Sequence, residues 1–196
     1  NSHHILHKYF LNDIWLIIKP LNIFENPLLF FSTLHFIIAI AAVYVLRRIL
    51  ENRHWSQSRI FLAVIFVISG FGFTKYNIEN EVYFYPILLS LIGSYFFEKN
   101  KKFTSAIWLG LACLFHQIHI FWLIGLLFPR DWRKGHSYFP LALGLALPVF
   151  TYSTISIVTQ TNIGNLIFHD VHAGLVQTLP NLNNTLLFFV NIVRTF

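Results

Sequence analysis

The chain has 196 residues, of which 56% are hydrophobic and only 11% charged, and its formal net charge is +6. An ordinary soluble domain carries about 25% charged residues, so the charges here are too few to cover the apolar surface, and a soluble globular domain or a disordered chain is excluded. A single cysteine, Cys113, excludes an intrachain disulfide framework, and the basic residues fall in short clusters between apolar runs, the pattern of a membrane protein and not of a nucleic-acid binder.

In chain order, residues 1–23 come first. Ile5, Leu6, Tyr9, Phe10, Ile14, Leu16, Ile17 and Ile18 form a broad apolar stripe at helical spacing, with His4, His7, Lys8, Asn12 and Lys19 among them. This predicts a helix lying in the membrane interface, stopped by Pro20. Apolar runs follow at 27–46, 60–73, 82–97, 103–128 and 138–158, and a last one, 186–193, runs into the end of the sequence. In lipid each must be helical, because only a helix satisfies its own backbone hydrogen bonds there. Crossing a hydrocarbon core of about 30 Å takes about 20 residues; 27–46 and 138–158 reach this, while 60–73 and 82–97 fall short. The expected fold is all-α: a polytopic transmembrane helix bundle with short helices and an N-terminal interfacial helix, in one domain. Its spans lie within 27–158, an outer loop at 159–184, and the start of a further span at 185–196. The chain begins at Asn1 and has no methionine, and it is read as a piece of a longer multi-span protein.

The run 103–128 is interrupted by Phe115-His116-Gln117-Ile118-His119. As one tilted helix it would hold two histidines and a glutamine near the bilayer midplane, which is costly unless they face protein or water. As two short helices it is a hairpin with that polar group at the apex. In the hairpin, Arg47, Arg48, Arg53, Arg59, Lys99, Lys101, Lys102, Arg130, Arg133 and Lys134 share one side, ten of the 14 Lys and Arg residues. Lys8, Lys19 and Lys75 lie opposite. A single span abolishes this bias, so the positive-inside rule favours the hairpin, although each arm then provides only about 20 Å of helix.

With this topology the outer face gathers His3, His4, His7, Asp13 and Glu25 from the N-terminal segment, Glu79 and Glu81 from the next outer loop, His116, Gln117 and His119 from the hairpin, and His169, Asp170 and His172 after 138–158. Carboxylates and imidazoles at a depth that water reaches suit both general acid–base chemistry and recognition of polar ligands. The candidate catalytic residues are Glu79, Glu81 and His116; the candidate substrate-binding residues are His3, His4, Gln117 and His119. Each also has a plainer reading, as a boundary residue or a solvated loop acid. A metal site needs more ligands than His116 and His119 supply, and neither metal nor cofactor is expected. Trp15, Trp55, Trp108, Trp122 and Trp132 read as interface anchors or packing residues, Cys113 as inert, and Gly70, Gly72 and Gly110 as helix-packing positions. There is no phosphate-binding loop, dinucleotide fingerprint or zinc-protease motif.

Three pieces of the chain resemble multi-span glycosyltransferases of the GT-C type, the superfamily of protein mannosyltransferases and lipid-linked-sugar transferases. Residues 1–10 (NSHHILHKYF) are similar to the segment after the family's first outer loop. Residues 79–86 (ENEVYFYP) are similar to a short acidic outer loop entering a span, here one that ends in Lys-rich 98–102. Residues 108–117 (WLGLACLFHQ) are similar to a Gly-Leu-Ala…His hairpin after a basic loop. The resemblance implies a transferase acting at the outer surface of a bacterial inner (plasma) membrane, with membrane lipid and a polyprenyl-phosphate-linked sugar donor as partners and no nucleic acid. It also implies a main acidic residue in the family's first outer loop, which would precede Asn1. Other classes are an O-antigen or exopolysaccharide polymerase, which needs outer arginines for a diphosphate; a transporter, which needs midplane charges or an inverted repeat; and a non-catalytic membrane subunit. The spans contain no Asp, Glu, Lys or Arg, and His35 stands alone.

Overall fold

A computed structural model of the chain describes residues 5–24, 26–70, 83–128 and 138–160, and all regular structure among them is helical. The helices are α1 (Ile5–Ile18), α2 (Pro27–Asn52), α3 (Gln57–Ser69), α4 (Phe84–Glu98), α5 (Lys102–Phe115), α6 (His119–Leu127) and α7 (Phe139–Thr159).

The N-terminal helix ends at Ile18, and a 3₁₀ turn, Lys19–Leu21, carries Pro20 and closes at Asn22 in the left-handed region (φ 51°). The α1 helix rests against the bundle: Leu11 clusters with Tyr85 and Phe115, and the Trp15 ring lies 5.7 Å from that of Phe30. Asn26 caps α2 by accepting the amide of Leu29 at 2.8 Å, with Pro27 in the first turn, where a missing N–H costs little. The helix continues past the apolar run 27–46 to Asn52, because Arg47 and Arg48 both close on Glu51 at 2.9 Å, pairs that support a helix at these spacings. The third helix starts three residues before the expected 60 and stops at Ser69, where Gly70 turns extended, instead of running to 73.

The run 103–128 is two helices. Helical geometry stops at His116, whose backbone is extended (φ −152°, ψ 119°), and α6 begins at His119. The chain reverses between them: Leu123 and Leu127 of α6 return to Ala106, Leu109 and Cys113 of α5 in one buried cluster. Phe128 then meets Tyr138 beside the Phe103–Phe139 contact. A single tilted helix is therefore ruled out, and the two histidines do not share a continuous helical face.

Directions follow from pairs of residues. Arg53, just after α2, bonds Glu98 at the end of α4 through Nε at 3.1 Å, and His35 of α2 meets Tyr85 at the start of α4, so α2 and α4 are parallel. The α6 helix runs the same way, while α5 and α7 return. One end of the bundle thus holds Arg47, Arg48, Arg53, Lys99, Lys101 and Lys102, and the other holds Tyr83, His116, Gln117 and Tyr152.

The backbones of α5 and α7 approach closely at two glycines. A Cβ placed on Gly110 would lie 2.7 Å from the carbonyl oxygen of Gly144, and Pro148 follows one turn on. Gly110→Ala is expected to destabilise the protein by about 1–3 kcal/mol, an overpacking cost that exceeds the helix-propensity gain of about 1 kcal/mol. A lower midpoint of unfolding in mixed detergent checks this; an unchanged or higher midpoint contradicts the close approach.

Among the described residues two helices, Pro27–Asn52 and Phe139–Val158, are long and apolar enough to cross a membrane, and only 22% and 17% of their most apolar windows are buried. A core helix of a soluble protein would show the opposite. Phe36, Ile37 and Ile40 on α2, Phe61, Leu62, Ile65 and Phe66 on α3, and Val149, Phe150, Ile157 and Val158 on α7 all face outward. So many large apolar side chains turned outward mark contact with something other than water.

Candidate functional site

The polar side chains of the hairpin meet α4 where the α5–α6 reversal interrupts helical structure. The imidazole of His119 lies against Ser90 of α4, with 2.7 Å between Nδ1 and Oγ. Trp122 stacks on the same imidazole, the ring centroids 5.9 Å apart and the planes within 12°. The indole N–H of Trp122 donates to Ser94 Oγ at 3.0 Å, and Ser94 in turn donates to the carbonyl of Ser90 at 2.8 Å. The spacing of Ser90 and Ser94, four apart on one face of α4, is what lets a single strip serve both α6 residues.

His116 sits one step further out. The amide of Ile118 donates to its Nδ1 at 3.3 Å, a local bond that the extended backbone at His116 permits. Its ring lies 4.8 Å from Tyr83 and 6.3 Å from His119. Gln117 points the other way, its amide donating to the Tyr152 hydroxyl of α7 at 3.5 Å. The reversal is therefore tied to α4 on one side and to α7 on the other.

Below it, an apolar cavity of about 450 Å³ runs between α1, α2, α4 and α5, lined by Ile14, Leu34, Ile38, Leu89, Leu111 and Phe115 among others. Phe115, the residue before His116, stacks on Tyr85 with planes within 3°, so the cavity wall and the imidazole pair are joined through one turn of chain.

Of the residues expected at the site, His116 and His119 come together, while the Gln117 side chain reaches α7. The expectation that all three are water-exposed fails for His119, which is 6% exposed, because α4 packs over the start of α6. His116 and Gln117 are half-buried. Glu79, Glu81, His3 and His4 lie outside the described residues, as do Arg130, Arg133, Lys134, Trp132, Gly72 and the segment 161–196. Ser90, Ser94 and Tyr83 were not expected. A serine pair in an apolar helix carries no signal until its partners, about 30 residues on, are placed beside it. Trp122, expected as an anchor or packing residue, is a hydrogen-bonded packing residue, and Cys113 is buried.

The Ser90–His119 pair is not arranged as a nucleophile and its base. Ser90 is fully buried, so no reacting carbon can approach its hydroxyl, and nucleophilic catalysis requires that approach. Among the described residues no group of three or more His, Cys, Asp or Glu is placed to hold a metal ion. What the arrangement offers is a half-buried imidazole, that of His116, one residue beyond Phe115 in the wall of an apolar slot. No protein-family model, curated protein or solved structure matches the chain.

Proposed function

We propose that the chain belongs to a membrane glycosyltransferase-like protein that takes a sugar from a polyprenyl-phosphate donor at the histidine end of the bundle, on the outer face of a bacterial inner membrane. One observation carries this reading: Phe115, which lines a wholly apolar slot, leads directly into His116 at the hairpin reversal. A lipid-linked phosphate has the same two parts, an anionic head and a hydrocarbon tail. His116 is the residue best placed to hold a phosphate oxygen or move the acceptor proton, with Glu79 and Glu81 as the candidate carboxylates.

Helix lengths support the placement. The 14 residues of α5 rise about 21 Å and the nine of α6 about 14 Å, both less than a hydrocarbon core of about 30 Å. The reversal then sits below the outer surface. Non-helical backbone at that depth is tolerated only where it is covered by protein or lines a wet cavity, which suits a site entered from outside.

A polyprenyl-phosphate sugar with a photoreactive group in its tail tests the reading in nanodiscs. Crosslinks to Leu89 and Leu111 are expected, competed by unlabelled donor. Labelling confined to the outward faces of α3 and α7 would show the tail to be bulk lipid and leave a non-catalytic membrane subunit as the better reading. Topology is tested separately. Single cysteines at Lys101 and Arg133 are expected to react with a membrane-impermeant thiol reagent from the cytoplasmic side alone. Reaction of the two from opposite sides would remove the proposed orientation.

A further inference from the structure

We infer that the turn between α4 and α5 docks anionic phospholipid headgroups at the basic end of the bundle, with Lys99, Lys101 and Lys102 as the side chains that meet the lipid phosphates. The inference uses the embedding of the bundle in a bilayer and the place of this turn within it; it uses nothing of the proposed sugar transfer.

The ion pairs at this end show where charge is left over. Glu51 is shared by Arg47 and Arg48, each at 2.9 Å, and Glu98 is taken by Arg53. The described residues hold no third carboxylate at this end, and none of them pairs with Lys99, Lys101 or Lys102. All three lysines are exposed. They fall within four residues, so their charges repel with no carboxylate of the bundle to offset them. An anion from outside the bundle relieves that repulsion.

The turn that carries the lysines is fixed. The amides of Asn100 and Lys101 donate to the carbonyls of Phe97 and Phe96, both at 2.9 Å. Asn100 takes the left-handed conformation (φ 58°) that commonly closes a helix. Two of the lysines work against the helix that follows. Lys101 is the N-cap of α5 and Lys102 its first residue, and no side chain caps this helix; positive charge there opposes the helix dipole. Helix stability therefore does not account for them.

The ammonium groups stand at the edge of the apolar surface. Lys99 Nζ is 5.7 Å from the centroid of the Tyr95 ring and Lys101 Nζ is 6.0 Å from that of Phe96. Both rings belong to the last turn of α4, so the cations are drawn back along the helix and not out into water. A cation held over a ring at the end of a lipid-facing bundle lies at the depth of headgroup phosphates. Phe103, next in the chain, is 54% exposed, and Trp55 after α2 is 43% exposed. Exposed rings suit that same boundary, and a nucleic acid or acidic peptide arriving from water has no need of them. Anionic lipid is concentrated in the cytoplasmic leaflet, the side on which the proposed orientation puts this turn.

The test is the lipid preference of the full chain in phosphatidylcholine nanodiscs that carry a minor fraction of spin-labelled phosphatidylglycerol or, separately, spin-labelled phosphatidylcholine. Both leaflets have one composition there, so the result does not depend on orientation. The protein is expected to immobilise phosphatidylglycerol in preference to phosphatidylcholine, and salt should weaken the preference. Changing Lys99, Lys101 and Lys102 together to glutamine should lower the relative affinity about tenfold or more, since each basic side chain near an anionic surface contributes a factor of about five. Changing the same three to arginine retains it. Glu98→Gln acts in the opposite direction: it removes a negative charge and releases Arg53, so the preference rises, which loss of fold cannot produce. An unchanged preference in the glutamine variant, or a fall in Glu98→Gln, overturns the docking. Lysine-dependent binding of a soluble oligonucleotide or acidic peptide, with no preference among lipids, also overturns it and assigns the turn to a partner in water. A failure of sugar transfer leaves the docking in place, and a failure of docking leaves the proposed function in place.

Discussion

His116→Ala in the membrane-inserted protein is expected to lower turnover with a polyprenyl-phosphate sugar donor about 10²-fold or more, the usual scale for a positioned acid–base group. The reason lies in where the side chain stands. It is half-buried at the reversal, its Nδ1 is occupied by the Ile118 amide, and Tyr83 lies beside the ring. Truncation removes the imidazole without opening the buried cluster below, so insertion and helix content should be unchanged. A loss expressed in kcat with KM nearly constant would place the interaction in the transition state; a rise in KM alone would mean that His116 only binds. Wild-type rates in a well-folded variant would reduce His116 to a residue that ends a helix.

The second large effect concerns stability. Leu109 is fully buried and fills the notch left by Gly93 on α4, where an added Cβ would lie 2.7 Å from its Cγ. It also belongs to the cluster that fastens α6 to α5. Leu109→Ala is expected to cost about 2–5 kcal/mol, as large-to-small changes in packed cores do. In a bilayer the smaller figure is expected, because lipid solvates an exposed leucine well and the lost contacts are mainly those of packing. Unfolding in mixed detergent measures it. Because α4, α5 and α6 all meet at this residue, the variant should also loosen the Ser90–His119 contact, seen as a broadened His119 imidazole resonance in ¹⁵N NMR of the histidine-labelled protein. A shift below about 0.5 kcal/mol, the size typical of a surface substitution, would mean that the three helices are not packed as a unit.

The helical class and the last of the described helices were legible in the sequence. The stretch 138–158 differs from Phe139–Thr159 by one residue at each end, since an unbroken apolar run leaves the chain few alternatives. The hairpin was legible for a different reason. Ten basic residues fall on one side if the run 103–128 folds back, and the reversal itself is visible as polar residues amid apolar ones. The end of α2 was not legible from hydropathy, because ion pairs at Glu51 carry the helix beyond its apolar stretch. The end of α3 was written at Gly70, but a glycine in an apolar run signals packing as readily as termination. The nearness of His116 and His119 follows from their spacing in the sequence, and the turn of Gln117 toward Tyr152 does not. The burial of His119 was not legible, because it depends on a serine strip contributed by another helix. Tertiary neighbours decide such details, and periodicity within one segment does not contain them.

The approach of α5 to α7 has a thermodynamic corollary. Pro148 has no N–H to offer the carbonyl of Gly144 one turn earlier, and that same carbonyl faces Gly110. The vacancy in one helix and the missing side chain in the other are thus two halves of a single contact, of the Cα–H to oxygen kind that recurs between closely packed helices. The stability effect of a change at either position therefore depends on the residue at the other. Pro148→Ala restores a donor within α7 and lets the carbonyl turn back toward its own helix, so the space opposite position 110 widens. Alanine at 110 should then be tolerated better in that background than in the wild type, and the two substitutions should be non-additive by about 0.5–3 kcal/mol, the range for residues in direct contact. Sequence change at either site is therefore conditional on the other, and the pair would be expected to drift together.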